Sequence, residues 1–355
     1  MKARILLLFA VLPLTALAQP LLPDAVPTPQ KATTPQLSPE QKLAQYRHDQ
    51  INLLALRADA PSLLAAALLA APDAGDKTRP AALQAPALLK RAQKLDAAST
   101  LVWWVTAAIE CKATLKDCPT TDTLQKLEQL DPSNGAVWAL SIGCSQQAGD
   151  GVTARAALTS AAQTKRYDDY FGALVLAIYR AQAILPMSSE LLNATGQDAS
   201  VDGFRLITAA GIAAGLLQPE SGAIVKACKH ADSADSSWVA DCISVARIMA
   251  DAGSMFTRQV GISLLESLQP SGHEHDEAVA QYRTHQWKML QIGKLGGRLA
   301  DDTRVTRTYV QALQQSGSES AAVEAVLRSQ GAPLKPPADW QMEAPAAAPD
   351  GTEGP

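Results

Sequence analysis

From residue 38 to about residue 330 the chain is cut into helix-length runs by short breakers. The punctuation is Pro72-Asp73-Ala74-Gly75, Cys118-Pro119, Asp131-Pro132-Ser133, Gly149-Asp150-Gly151, Gln218-Pro219, Asp251-Ala252-Gly253 and Pro270-Ser271-Gly272. The runs between them are about 11 to 20 residues long, the ordinary length of a globular helix. Hydrophobic residues make up 47% of the chain but aromatics only 5%, so the apolar content is mainly Ala and Leu. Both favour helix, whereas strands draw on Val, Ile, Tyr and Phe. No convincing apolar–polar alternation is present, and no Asn-Gly or Asp-Gly turn joins two β-branched runs. The expectation is an all-α protein of about 16 helices, built as stacked helical hairpins whose short connections make sequential helices antiparallel neighbours.

The start of the first helix is written locally. Ser38-Pro39-Glu40-Gln41 combines an N-cap serine, proline in the first helical position and Gln at the capping-box position. Leu43, Tyr46, Ile51, Leu54 and Leu56 follow at roughly helical spacing, which predicts a helix over 39–57.

Both ends differ from the middle. Lys2 and Arg4 precede an apolar run from Ile5 to Leu17, and Ala16-Leu17-Ala18 is a small-x-small cleavage pattern. Residues 1–18 therefore read as a secretory signal peptide cleaved after Ala18, its apolar run being too short to span a bilayer. The expected location is periplasmic or secreted, with no membrane insertion after cleavage. Residues 19–37 carry five prolines and read as a disordered linker. Residues 331–355 form a Pro/Ala-rich acidic tail, read as disordered, with Trp340 as its one large aromatic residue. The tail is either a spacer or a docking peptide anchored by Trp340.

Net charge is −4. No dense basic stripe is available for nucleic acid, nor for docking on anionic lipid. Five cysteines in an exported chain make disulfides plausible, with one thiol left over. Cys228 and Cys242 stand at the ends of two helices joined by a turn, so a bridge between them is expected. Cys111 and Cys118 flank an analogous turn and form the second candidate pair, leaving Cys144 spare; Cys111 with Cys144 is the alternative. No C-x-x-C pair suggests redox catalysis or structural zinc.

An internal repeat is visible. Trp104 and Trp138 stand 34 residues apart. Leu130-Asp131-Pro132-Ser133-Asn134 precedes Trp138, and Gly149-Asp150, Ala154, Leu158 and Ala161 follow it. This pattern resembles a tetratricopeptide repeat (TPR), a helix–turn–helix unit with an aromatic in its first helix, a Gly-Asp-like turn, small residues where the helices cross and a closing proline. Ala107, Ala108 and Pro132 fit the unit around Trp104. Ser141 and Ile142 depart from the family's usual large–small pair, and Arg166 stands where its closing proline would. The resemblance implies a superhelical solenoid over 38–330 that presents a groove to protein partners.

No catalytic motif, metal site or cofactor site is expected. His273-Glu274-His275-Asp276 is the densest group of potential ligands, but it lacks the H-E-x-x-H spacing and precedes an apolar helical run, so it reads as helix capping. His48 and His285 read as surface or half-buried helix positions. Trp103 and Trp104 are adjacent and point to different sides of a helix. Lys165-Arg166-Tyr167-Asp168-Asp169-Tyr170-Phe171 mixes three aromatics with four charges, as protein interfaces do. The candidate partner-binding residues are Trp103, Trp104, Trp138, Tyr167, Tyr170 and Phe171. The expected function is a non-catalytic exported helical-repeat scaffold or adaptor that binds a protein or peptide in the cell envelope. The alternatives are an envelope (cell-wall-directed) enzyme without a recognisable motif and a periplasmic inhibitor or immunity-type protein.

Overall fold

The computed structural model describes residues 37–73, 79–114, 118–195, 199–216, 220–229, 236–269 and 271–341. The signal-peptide and linker readings of residues 1–36 and the tail beyond residue 341 lie outside the described residues. The chain divides into two units, Met1–Leu37 and Ser38–Pro355, and the helices belong to the second.

The described residues are helical, without a strand. In chain order the helices are α1 Pro39–Arg57, α2 Ala60–Ala70, α3 Ala85–Leu95, α4 Thr100–Thr114, α5 Thr121–Leu130, α6 Gly135–Gln147, α7 Gly151–Ala162, α8 Phe171–Ala181 and α9 Ser189–Ala194. Then come α10 Val201–Ala214, α11 Glu220–Cys228, α12 Ser236–Ala250, α13 Met255–Leu268, α14 His273–Lys294, α15 Gly296–Asp301, α16 Thr303–Ser316 and α17 Glu319–Ser329. The first helix has the predicted bounds and the full capping box: Gln41 N–H donates to Ser38 Oγ at 3.3 Å, and Ser38 N–H donates to Gln41 Oε1 at 2.8 Å. Side chains of Asp59, Thr120, Asn134, Asp150, Ser188, Ser200, Ser254, Asp302 and Ser318 accept first-turn N–H groups in the same way. Each such cap contributes about 1 kcal/mol, so Ser, Thr, Asp and Asn placement sets where most helices begin.

Two kinds of packing hold the helices. Hairpins α2–α3, α6–α7, α12–α13 and α16–α17 pack locally. This part is compatible with a helical repeat fold. A second set of contacts joins elements far apart in sequence. Helix α6 rests on α11, α7 on α12, and α8 on α2 and α16. Ser200 donates through its N–H (2.9 Å) and Oγ (3.0 Å) to the Ala300 carbonyl, and Gln50 Nε2 donates to the Gln182 carbonyl at 3.0 Å. Stacking in which each repeat touches only its neighbours does not generate such seams. Most of the buried apolar side chains form one hydrophobic cluster running from Ile51 to Leu327.

The cysteines pair differently from the sequence expectation at one of two places. Cys228 and Cys242 are bonded, with Cα atoms 5.7 Å apart, as hairpin geometry suggests. Cys118 bonds to Cys144, Cα atoms 5.3 Å apart, and not to Cys111. Cys111 is on the inward face of α4, 2% exposed, whereas Cys118 has left that helix and meets α6 near Gln147. Cys144 is therefore a bridge residue rather than the spare. The two cysteine pairs fit an oxidising, exported environment, and no described helix is long and apolar enough to cross a membrane.

The tail reading also needs correction over residues 331–341. Ala332 and Leu334 pack against the core cluster, and Trp340 stands edge-on to Trp287 of α14. Composition alone suggests a spacer here, yet the segment is anchored by packing and by a ring contact.

Candidate functional site

The aromatic candidates gather where α4, α6 and α8 begin. Ser99, Asn134 and Asp169 precede these helices at intervals of 35 residues, and each accepts a first-turn N–H, from Val102, Ala136 and Phe171. Trp103 and Trp138 occupy equivalent places in this frame. Trp103 Nε1 donates to the Ala97 carbonyl at 3.0 Å, and Trp138 Nε1 to the Pro132 carbonyl at 2.9 Å, each six residues back. The equivalent positions are thus 35 residues apart and counted from Trp103. The 34-residue interval from Trp104 joined two side chains on different helix faces.

Around Asn134 the polar groups form a closed knot. Arg166 Nη2 donates to Asp131 Oδ2 at 2.6 Å, and its Nη1 to Asp168 Oδ2 at 3.1 Å. The Tyr170 hydroxyl donates to Asp131 as well. Gly135 N–H reaches the Arg166 carbonyl at 2.9 Å, an isolated bridge between the two loops. Burial raises the Asp168 carboxyl above its usual pKa and, with the Asp131 hydrogen bond, raises the Tyr170 phenol. Tyr170 sits in the left-handed region at φ 58° and lays its ring 5.1 Å from that of Trp104.

This arrangement corrects half of the candidate contact set. Trp104 is 2% exposed, Tyr167 2% and Phe171 6%, so all three are core side chains out of a partner's reach. Trp103, Trp138 and Tyr170 are half-buried, and each spends its polar atom on its own loops.

Concave surface lies elsewhere. A cleft of about 510 Å³ opens between the α1–α2 corner, the α3–α4 loop and α8. Its floor is apolar (Leu54, Leu64, Leu101, Val102, Ala177), and Arg57, Arg180, Asp59 and Asp96 also line it. Arg57 pairs with Asp59 at 3.6 Å, whereas Arg180 is exposed and has no ionic partner among the described residues. A cleft of this make can seat an apolar side chain while its charged groups meet main-chain or terminal groups of a peptide.

A second cavity, of about 310 Å³, lies between α13, α14, the α12–α13 loop and the start of α17, with Arg258, Lys288, Asp251, Ser320 and His285 in its wall. His285 is 3% exposed, not the surface or half-buried residue expected, and its Nε2 has no hydrogen-bond partner among the described residues. Burial, reinforced by Arg258 and Lys288, pushes its pKa down to about 4, so the imidazole is neutral near pH 7. Nearby, Asp169 accepts from Thr257 Oγ1 at 2.7 Å and from Ser254 Oγ, while Glu319 Oε2 accepts the Met255 N–H at 2.7 Å. Burial, with Asp169 adding to it, raises the Glu319 carboxyl to about 7. His273 and its neighbours open α14, where Glu274 pairs with Arg247 at 2.6 Å. Among the described residues no group of three or more His, Cys, Asp or Glu is placed to hold a metal ion.

A scan against protein-family models, a search of curated proteins and a search of solved structures each return no match for this chain.

Arg180, Arg283, Trp287 and His285 lie outside the candidate residues that the sequence singles out. Arg180 and His285 are single residues without a motif. Arg283 and Trp287 carry a readable signal: they stand four apart, hence on one helix face, in a chain whose tail offers prolines and a tryptophan.

Proposed function

We propose that the protein is a non-catalytic, exported scaffold or adaptor that holds a polypeptide of the cell envelope in the cleft between α2, α4 and α8. The observation that carries this reading is the pairing of an apolar floor with charges of both signs, among them Arg180, which has no ionic partner among the described residues. Helices α4 to α8 belong to TPR-like units of 35 residues, and repeats of this kind present grooves to protein partners; that step is analogy at the level of fold. Export rests on the leader pattern of residues 1–18 and on the two cysteine bridges.

The test places a photo-crosslinking amino acid at Ala177, in the cleft, or at Val152, which is 84% exposed and outside it. Irradiation in envelope extract is expected to give a discrete polypeptide adduct at position 177 and none at 152, and Arg180→Glu should reduce it severalfold. Equal labelling at both positions, or none at 177, overturns the reading.

A second reading, an envelope enzyme, draws on the cavity whose wall carries both the neutral His285 and Ser320. It requires a serine-directed electrophile to label Ser320 and the label to vanish in His285→Ala; an unlabelled protein ends it.

A further inference from the structure

The tail segment Pro333-Leu334-Lys335-Pro336-Pro337-Ala338-Asp339-Trp340 lies along one face of α14 in a way that reads its backbone. Trp287 Nε1 donates to the Pro333 carbonyl at 2.7 Å. Arg283 Nη2 converges on the carbonyls of Pro337 (2.8 Å), Ala338 (2.9 Å) and Trp340 (2.5 Å). The same guanidinium stands 5.8 Å from the Trp340 ring centre, and the Trp287 and Trp340 rings meet edge to face at 5.3 Å. Leu334 packs on the core cluster.

Every one of these hydrogen bonds goes to a main-chain carbonyl. The seat therefore selects a backbone that bends at Leu334–Lys335 and closes a turn over Pro337–Trp340, with one apolar side chain and one aromatic anchor. Indole N–H groups and aromatic faces recognise proline-rich segments, whose prolines fix φ and leave little backbone entropy to lose on docking. The segment has few bonds of its own to break: Trp340 N–H to the Pro337 carbonyl, 3.2 Å, lies within it. A single turn links it to α17, through Gly331 at φ 68° and the Ala332 N–H to the Leu327 carbonyl at 2.9 Å. So short a tether holds the segment at an effective concentration in the millimolar range.

We propose that the Arg283–Trp287 face of α14 is a second peptide-binding site, for a proline-rich segment with an aromatic anchor on a partner protein, and that residues 333–340 occupy it in cis as a built-in competitor. The proposal extends the scaffold reading, but its site is separate from the α2–α8 cleft and its test needs no extract, so either can fail alone.

The probe is a fluorescein-labelled synthetic peptide of residues 331–345, followed by anisotropy against the full chain. Trp340→Ala should bind it at least tenfold more tightly than the wild-type chain, because the anchor of the resident segment is gone. Adding Arg283→Ala to Trp340→Ala should abolish binding, while circular dichroism shows both variants as helical as the wild type. Absence of binding to Trp340→Ala, equal affinity for wild type and Trp340→Ala, or binding that survives the double variant each overturns the proposal. Sedimentation closes the remaining route: a wild-type dimer that Trp340→Ala dissolves would assign the seat to a second copy's tail and overturn the cis arrangement.

Discussion

Asn134 and Asp168, 34 residues apart in sequence, exchange two hydrogen bonds: Asp168 N–H donates to Asn134 Oδ1, and Asn134 Nδ2 donates to the Asp168 carbonyl, both at 2.8 Å. Asn134 also caps α6 and donates to Asp131 Oδ2 at 3.1 Å. One fully buried amide thus ties the start of α6 to the loop that leads into α8. Asn134→Ala should cost about 2–4 kcal/mol, since it leaves buried donors and acceptors unsatisfied. Asn134→Asp should cost more, because a carboxylate replaces the donor facing Asp131 and the Asp168 carbonyl. Urea midpoints should fall in the order wild type, Asn134→Ala, Asn134→Asp; a reversed order would show that packing, not hydrogen bonding, holds this junction.

Peptide mapping without reductant should recover Cys118 joined to Cys144 and Cys228 joined to Cys242, with Cys111 in neither. Removing the Cys118–Cys144 bond frees a loop spanning 26 residues, a loss of about 3–4 kcal/mol in the chain-entropy model. Cys111→Ala deletes only a buried sulfur and should cost about 1 kcal/mol. A larger loss from Cys111→Ala than from Cys118→Ser contradicts this pairing.

Stability against pH has two opposing contributions with different signatures. His285 has a folded pKa near 4, below its value in the unfolded chain. The unfolded state therefore binds more protons between about pH 6.5 and 4, and stability falls as the solution is acidified through that window. The effect is on the order of 2 kcal/mol, discounted because the ring borders a solvent-accessible cavity. Glu319 behaves in the opposite sense: its folded pKa near 7 lies above the unfolded one, so the folded state holds the extra proton and stability falls as pH rises from about 4.5 to 7. Glu319→Gln keeps an acceptor for the Met255 N–H and removes the buried charge. It should melt a few degrees higher than the wild type at pH 8 and at the same temperature at pH 4.5. A variant that loses stability equally at both pH values would show the carboxylate to be favourable where it lies.

These relationships differ in how far the sequence reveals them. Helix α1 is legible residue by residue, because its capping box is local chemistry, and the Cys228–Cys242 bridge follows from a single hairpin. Trp103 and Trp104 show where legibility stops. Both fit a repeat of about 34 residues, and only the packing around each indole separates the loop staple from the core residue. The Cys118–Cys144 bond depends on how α5 returns beside α6, which no spacing encodes. The seams around α8 and α10 hide behind Gly172 and Gly203, which in sequence read as weak helix positions. The candidate cleft depends on the packing of α8 against α2, so its floor residues share no motif.

Two glycines of α10, Gly203 and Gly211, should respond to the same substitution with opposite signs. A Cβ on Gly203 would lie 1.8 Å from the Ala300 carbonyl oxygen, a backbone atom held by two hydrogen bonds from Ser200, whereas a Cβ on Gly211 meets nothing within 4 Å. Gly203→Ala must therefore push α10 off the α15–α16 corner, and a loss above about 3 kcal/mol is expected, in the range of overpacked core sites. Gly211→Ala removes backbone freedom from the unfolded chain at no steric cost and should add about 0.5–1 kcal/mol. Chemical denaturation of the two variants reads both signs at once. Were Gly203→Ala as stable as the wild type, the close approach of α10 to Ala300, and with it the long-range closure of the helices around α8, would be disproved.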